Sequence, residues 1–214
     1  MKRSALIVAG AIAVALAAAA CGGGSSSSSS GGTSKGSTTS APPPSTAGSG
    51  VAPTAAEVNP AGDIPDNQVF VAYTPPSGGF RVKVPEGWAR TETGGAVTFT
   101  DKLNSIRMES APASNAPTPQ SAEQTELPGI RAAIKNFQAG KVSTVTRKAG
   151  PAVLLTYGAD SAPDPVTGKV VHDAVERYEF WKAGTEVILT LSGPQGADNV
   201  DPWRIVTDSF GWQA

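Results

Sequence analysis

Short stretches in which hydrophobic and polar residues alternate recur from Phe70 onward. The pattern is clearest where Phe80, Val82 and Val84 are separated by two cationic side chains. Side chains on a strand alternate between its two faces, so a period of two predicts a half-buried strand. Comparable stretches predict further strands at 69–73, 97–100, 106–109, 152–157, 170–181 and 186–192.

Two other stretches have the spacing of a helix. In the first, hydrophobic residues fall at i, i+3, i+4 and i+7: Ile130, Ala133, Ile134 and Phe137. In the second, Asp201 is suited to cap a helix with Pro202 at its first position. The buried side of that last helix is predicted to carry Val200, Trp203, Val206 and Phe210. Together these elements predict an α+β fold, an antiparallel sheet of about seven strands with two main helices packed on it.

The chain before this region has a different composition. All the aromatic residues, six Phe, four Trp and three Tyr, lie between Phe70 and Trp212. Residues 22–62 are mostly Gly, Ser, Thr, Pro and Ala, which cannot bury enough apolar surface to fold. We therefore predict a disordered linker over residues 21–63, with a reach of about 35 Å, and a single globular domain over residues 64–214.

The first twenty residues have the features of an export signal. Lys2 and Arg3 precede an apolar run, and small residues lead directly to Cys21, the single cysteine. This arrangement resembles a bacterial lipoprotein signal peptide over residues 1–20, in which Cys21 is the lipidation site. Two acyl chains on Cys21 would hold the protein on the extracytoplasmic side of the cell membrane. An uncleaved anchor or an ordinary secretory signal remains the alternative.

Charge and cysteine content narrow the classes of function. The formal net charge is −1, and no stripe of basic residues indicates a nucleic-acid partner. Charges in the predicted domain are interspersed, as in Glu176, Arg177 and Glu179, which we interpret as a mixed solvated surface. A single cysteine excludes an intramolecular disulfide and a thiolate metal cluster. We expect no cofactor and no metal centre.

Two local patterns bear on chemistry. His172 is the sole histidine, so a Ser-His-Asp hydrolase would have to use it, but no G-x-S-x-G sequence accompanies it. Asp198, Asn199 and Asp201 place three oxygen-bearing side chains near a glycine-rich turn. Calcium prefers six to eight oxygen ligands, so these residues supply part of a site at most. The sequence thus predicts no enzyme, with a cell-wall or lipid hydrolase as an alternative.

The stretch Phe80-Arg81-Val82-Lys83-Val84-Pro85-Glu86-Gly87-Trp88 resembles the F-x-V-x-x-P-x-G-W opening of PsbP/Mog-type domains. The resemblance extends over about residues 67–214 and includes the closing Asp208-Ser209-Phe210. It also covers actinobacterial lipoproteins of the LpqN-like kind. The resemblance implies an α+β fold used in binding and assembly, and it brings no shared catalytic residues.

We therefore expect a lipid-anchored binding or assembly module of the cell envelope. Trp181 and Trp203 are the candidates for its contact surface, since Trp is enriched at binding hot spots. The expected partners are the membrane, through Cys21, and an envelope protein or a small lipid or glycan. A carrier of such a ligand would need a sizeable apolar pocket. The solute receptor of an ABC transporter is a further alternative, although it usually has two lobes.

Overall fold

The computed structural model describes residues 60–164 and 166–213. The predicted signal peptide, Cys21 and nearly all of the predicted linker lie outside these residues. The described strands are β1 (Phe70–Tyr73), β2 (Phe80–Pro85), β3 (Ala89–Thr93), β4 (Ala96–Asp101), β5 (Asn104–Pro112), β6 (Gln138–Arg147), β7 (Gly150–Asp160), β8 (His172–Lys182), β9 (Thr185–Pro194) and β10 (Gly211–Trp212). The helices are α1 (Pro119–Ser121), a π-helical turn (Ala122–Glu126), α2 (Leu127–Ala133) and α3 (Val200–Ser209).

Seven of the strands form one antiparallel sheet, the main sheet, in the order β3-β4-β5-β9-β8-β7-β6. The remaining three form a small sheet in the order β1-β2-β10. The predicted α+β fold with a seven-stranded antiparallel sheet is confirmed. Among the described helices, none has the length and apolar character needed to cross a bilayer.

The principal core lies on one face of the main sheet, which we call the core face. Large side chains of the central strands, such as Tyr178, Phe180 and Leu189, are at most 1% exposed there. They cluster with hydrophobic residues of β2 and α3, which cover this face: Phe80, Val82, Val84, Trp203, Val206 and Phe210. Phe210 stacks on Phe180 with 4.2 Å between ring centroids, so the end of α3 is fixed by aromatic packing.

A smaller core lies on the other face of the main sheet, which we call the outer face. The segment from α1 to α2 covers part of it, packing Ala122, Leu127 and Ile130 against Val153 and Leu155. The predicted helix over 130–137 is wrong in its extent, because α2 ends at Ala133 and the next residue is already extended. Pairing of β6 with β7 draws the chain into the sheet at this point.

Phe137 shows what replaces the predicted helical face. Its ring stacks on Tyr157 of β7, with centroids 5.6 Å apart, instead of lying one helical turn after Ile134. The predicted start of the last helix is also displaced, because Asn199 occupies the N-cap and Asp201 lies in the first turn. Four residues are expected on the buried side of this helix. Val200 is 72% exposed, whereas Trp203, Val206 and Phe210 are buried.

Asn199 is a buried polar contact point for three separate segments. Its Oδ1 accepts a hydrogen bond from the Ile64 N–H at 2.8 Å, and its Nδ2 donates to the Gly62 carbonyl at 3.0 Å and to Asn104 Oδ1 at 3.0 Å. Gly193 passes so close that a Cβ at this position would collide with the Asn104 side chain. The folded region therefore includes Gly62, which the sequence analysis assigns to the linker.

We expect Asn199→Ala to destabilise the domain by about 3 kcal/mol, because a buried donor and acceptors lose their partners together. Asp198→Ala is the matched control, since its exposed neighbouring side chain should cost less than about 0.5 kcal/mol. Urea denaturation of the full-length variants measures both free energies of unfolding. Equal losses for the two variants would contradict the role given to Asn199.

Candidate functional site

The two tryptophans predicted to form a contact surface lie on opposite faces of the main sheet. Trp203 is 7% exposed within the principal core, so its assignment to a binding surface is wrong. The cause is its position on the side of α3 that packs against the sheet. Trp181 lies on the outer face and is partly exposed, and its Nε1 donates to the Ala113 carbonyl at 2.8 Å. Trp181 thus holds the chain that follows β5, and its role in partner contact stays a prediction.

His172 is paired with a carboxylate, as a catalytic histidine would be, but it lacks a nucleophile. Its Nδ1 lies 3.1 Å from Asp160 Oδ1, and Asn136 Nδ2 donates to Asp160 Oδ2 at 2.6 Å. The hydrogen bond from His172 is the main cause that lowers the pKa of Asp160. His172 Nε2 is buried without a hydrogen-bond partner among the described residues. A hydrolase would need a nucleophilic side chain bonded to His172, and none of the described residues supplies one.

The three oxygen-bearing side chains near the glycine-rich turn do not converge. Asn199 is buried and bonded to backbone and Asn104, whereas Asp198 and Asp201 are exposed. The backbone N–H of Asp198 donates to Asp63 Oδ1 at 2.9 Å, which holds the turn against the start of the domain. Asn199 and the backbone of Asp198 attach the chain before β1, whereas Asp201 lies in the first turn of α3.

An open groove with a volume of about 800 Å³ lies beside α3 on the surface of the domain. We call it the β2–α3 groove; it is lined by β1, β2, α3 and the turn before β7, and its charged residues are Arg81, Lys83, Lys148, Asp201, Arg204 and Asp208. Ile205 contributes a hydrophobic side chain that is 45% exposed. The groove combines cationic and apolar surface in one concave patch.

The acidic side chains of the groove do not balance its cations. Asp208 lies 3.7 Å from Arg204 Nε and 3.9 Å from Arg147 Nε, so two arginines share it. No ion pair within 4.0 Å involves Arg81, Lys83 or Lys148 in the described part of the chain. The groove therefore presents excess positive charge to a partner.

Arg147 fixes the position of α3 beside this groove. Its Nε donates to Thr207 Oγ1 at 3.0 Å and its Nη2 to the Tyr178 hydroxyl at 2.7 Å. The Tyr178 hydroxyl in turn donates to Glu176 Oε2 at 2.7 Å. Burial, aided by the bond to Glu176, raises the pKa of Tyr178 to about 12, so the hydroxyl remains a donor. The groove wall is thus held by a hydrogen-bonded network.

A second polar site lies on the outer face, where Arg177 contacts three carboxylates. Its guanidinium lies 2.9 Å from Glu126 Oε2, 3.0 Å from Glu179 Oε1 and 3.7 Å from Glu109 Oε1. Glu186 of β9 lies beside them, and one carboxylate oxygen each of Glu126, Glu179 and Glu186 falls within 4.8 Å of the others. We call these five residues the Arg177 cluster.

Glu179 is the member of the Arg177 cluster that is withdrawn from solvent, with a side chain 0% exposed. Burial raises its pKa to about 8; the neighbouring Glu126 carboxylate adds to this rise and Arg177 opposes it. The interpretation of Arg177 and Glu179 as solvated surface charges is therefore wrong. The missed signal is spacing: Arg177, Glu179 and Trp181 are two residues apart and share one strand face.

Asp173 is a second buried carboxylate on the outer face, at the opposite end of β8. It is 6% exposed, and burial raises its pKa to about 6. It lines an open pocket of about 570 Å³ together with Ser105 and Ser192, whose hydroxyls lie 2.7 Å apart. Its Oδ1 is buried without a hydrogen-bond partner in the described residues.

No protein-family model and no curated protein matches the chain. Among solved structures, cyanobacterial PsbP (CyanoP) from Synechocystis sp. PCC 6803 is 14% identical with a TM-score of 0.48, over 71% of this chain and 98% of that one. The Ran-binding protein Mog1p from Saccharomyces cerevisiae is 10% identical with a TM-score of 0.44, over 67% and 95%. LpqN, involved in cell envelope biogenesis in Mycobacterium tuberculosis, is 14% identical with a TM-score of 0.38, over 70% and 87%.

The chain spans about half, 48%, of the length of a Bacteroides thetaiotaomicron protein that it also matches. All of these likenesses concern the arrangement of strands and helices. The resemblance drawn above from residues 80–88 names the same kinds of protein.

We expect Asp173→Asn to stabilise the domain at about pH 7 by about 1–2 kcal/mol, which is less than the full pKa shift corresponds to, because the pocket at Asp173 is open to solvent. The pKa of Asp173 is higher in the folded than in the unfolded chain, so the folded state binds the proton more tightly. Asp173 should therefore make the wild-type free energy of unfolding decrease as pH rises from about 4 to about 6, and the variant should lack this contribution.

Denaturant unfolding across this pH range measures the difference. Asp101→Asn, which removes an exposed carboxylate, is the control and should leave the wild-type profile unchanged. A profile for Asp173→Asn that parallels the wild type would show that Asp173 does not carry the effect.

Proposed function

We propose that the protein is a lipid-anchored, extracytoplasmic binding module of the cell envelope whose contact surface is the β2–α3 groove. The observation that carries this proposal is the open patch of Arg81, Lys83 and Lys148, which lack ion-pair partners among the described residues. A concave surface with excess cations favours a partner with an acidic surface, because charge complementarity steers encounter and rejects unsuitable partners. We take this partner to be an envelope protein.

The anchoring part of the proposal is supported by the first residues of the sequence. Lys2 and Arg3, the apolar run and the small residues before Cys21 have the order of a lipoprotein signal peptide. Lipidation of Cys21 with two acyl chains would give stable membrane attachment, whereas a single chain binds only marginally. The predicted linker would then separate the attachment point from the folded domain.

The apolar part of the groove gives it more than electrostatic attraction. Ile205 is 45% exposed among the charged residues that line the groove, and Ala72 of β1 also lines it. Apolar contacts surrounded by charged groups are typical of protein contact surfaces, where the charged rim sets specificity. This combination favours a protein partner over a freely diffusing anion.

The geometry favours binding over the alternatives. A hydrolase would need a nucleophilic side chain that is hydrogen-bonded to His172 Nε2, and this atom has no hydrogen-bond partner among the described residues. A carrier of a lipid or glycan would need a sizeable apolar pocket, whereas the largest groove described above is open and lined by six charged residues. The carrier alternative stays a prediction without a supporting observation in the fold.

We expect Cys21→Ser to release the protein from the membrane fraction of the producing cells and to abolish incorporation of a labelled fatty acid. Ser26→Ala is the matched control, because it changes the predicted linker and leaves the lipidation site intact. Membrane fractionation and labelling measure both effects. Retention of Cys21→Ser in the membrane would instead support an uncleaved apolar anchor.

We expect the double variant Arg81→Glu with Lys83→Glu to lose partner binding about tenfold. Exposed ion pairs contribute roughly 0.2–1 kcal/mol each, and reversal also adds repulsion, so two reversals approach the 1.4 kcal/mol that corresponds to tenfold. Lys141→Glu with Lys169→Glu makes the same change in net charge at exposed positions outside the groove.

Photo-crosslinking in intact cells measures the loss. A photoreactive residue at Ile205 should capture a discrete partner in the wild-type and control backgrounds and much less of it in the groove variant. The same probe at Thr91, on the exposed strand β3, should not capture that partner. Equal capture from both positions, or capture unaffected by charge reversal, would exclude the groove as the contact surface.

A further inference from the structure

Three carboxylates on the outer face converge from separate elements of the fold. Glu126 ends the π-helical turn, Glu179 lies on β8, and Glu186 lies on the neighbouring strand β9. One oxygen of each lies within 4.8 Å of the others. Like charges this close repel one another, so an arrangement of this kind needs a compensating positive charge or proton.

Glu179 supplies an observation that is independent of this convergence. Its side chain is 0% exposed, and Oε2 has no hydrogen-bond partner among the described residues. Arg177 Nε engages only the other oxygen, Oε1, at 3.0 Å. Buried polar atoms are nearly always satisfied, and each exception requires an explanation. No N–H or hydroxyl group of the described residues compensates this Glu179 oxygen, so either a proton shared with Glu126 or a bound cation must do so.

Arg177 does not fill this role, although it is the nearest cation. Its Nη2 donates to Glu126 Oε2 at 2.9 Å, and its Nε is used by Glu179 Oε1. Each of these two carboxylates therefore gives one oxygen to Arg177 and keeps a second oxygen. The guanidinium orients the pair, and it leaves one oxygen on each side chain for another ligand.

The local charge count allows a divalent cation when all the carboxylates of the cluster are ionised. Arg107 lies 2.9 Å from Glu109, and this ion pair is neutral by itself. Arg177 can neutralise one of the three remaining carboxylates, so two negative charges are left when Glu126, Glu179 and Glu186 are ionised. A divalent cation would balance them.

We propose that Glu126, Glu179 and Glu186 form a binding site for Ca²⁺. Calcium accepts six to eight oxygen ligands in a flexible geometry, whereas magnesium demands a near-ideal octahedron and usually binds through one or two carboxylates. Three carboxylates that converge within 4.8 Å from separate elements therefore favour calcium.

Access to the site and its remaining ligands come from the solvent side. The Glu126 side chain is 27% exposed and Glu186 is half-buried, so water can complete the coordination. Few protein ligands and several waters correspond to a weak site, with a Kd of about 10⁻⁴–10⁻³ M as in extracellular calcium modules. The ion would join the π-helical turn to β8 and β9 and hold the helical segment on the sheet.

Terbium luminescence tests the site directly in the full-length chain purified in mild detergent. Tb³⁺ replaces Ca²⁺ in oxygen sites and emits when a nearby tryptophan is excited. Trp181 is the cross-strand partner of Glu186 and shares its sheet face, so it would sensitise an ion bound there. We expect emission on addition of Tb³⁺, its displacement by Ca²⁺, and a rise in Tm with increasing Ca²⁺.

Two variants separate the ion from its reporter. Glu186→Gln, at a half-buried position, should weaken Ca²⁺ binding by at least about tenfold and reduce both the emission and the rise in Tm. Trp181→Phe should lose the emission and keep the rise in Tm. Glu92→Gln, on the exposed strand β3, is the carboxylate control and should behave as the wild type.

The proposal would be overturned by a wild-type chain whose Tm does not respond to Ca²⁺. It would also be overturned if Glu92→Gln reduced the response as much as Glu186→Gln, since that would show adsorption to exposed carboxylates. Equal stabilisation by Mg²⁺ and Ca²⁺ would contradict the assignment to calcium.

Discussion

The pleat of β8 is the constraint on which the rest of the structure depends, because it sends successive side chains to opposite faces of the main sheet. Tyr178 and Phe180 enter the principal core, whereas Arg177 and Glu179 must face outward beneath the helical segment. A carboxylate on a covered sheet face is costly unless charges and hydrogen bonds compensate for its lost hydration. On the outer face Arg177 compensates one oxygen of Glu179, and the second oxygen is the one assigned above to the proposed ion.

On the core face, contacts between the main sheet and α3 position the proposed contact surface. Phe210 stacks on Phe180 at 4.2 Å, and Arg147 joins Thr207 of α3 to the Tyr178 hydroxyl. Both contacts fix α3 at the end of the principal core, and one wall of the β2–α3 groove is therefore rigid. A rigid groove loses little conformational entropy when a partner binds, so even modest ion pairs can contribute to affinity.

Elements whose pattern depends on burial alone can be predicted from the sequence. The alternation at Phe80, Val82 and Val84 predicts β2, whereas β3 has five exposed residues and therefore lacks any hydrophobic period. The Arg177 cluster depends on strand register, because Glu186 becomes a neighbour of Glu179 only after β8 and β9 pair. Trp203 shows a different limit: Trp is abundant at interfaces, but its position on the buried side of α3 places this residue in the core.

The predicted linker changes how much affinity the groove requires. Three exposed cations contribute roughly 0.2–1 kcal/mol each, which alone corresponds to millimolar binding or weaker. With Cys21 lipidated as proposed, the predicted linker, with a reach of about 35 Å, would confine the domain to a thin layer above the membrane. For a partner in the same layer, the effective concentration would then be of millimolar order, so weak contacts would suffice for substantial occupancy. An open charged groove is therefore physically consistent with a tethered module, whereas a freely diffusing domain would need a larger apolar interface.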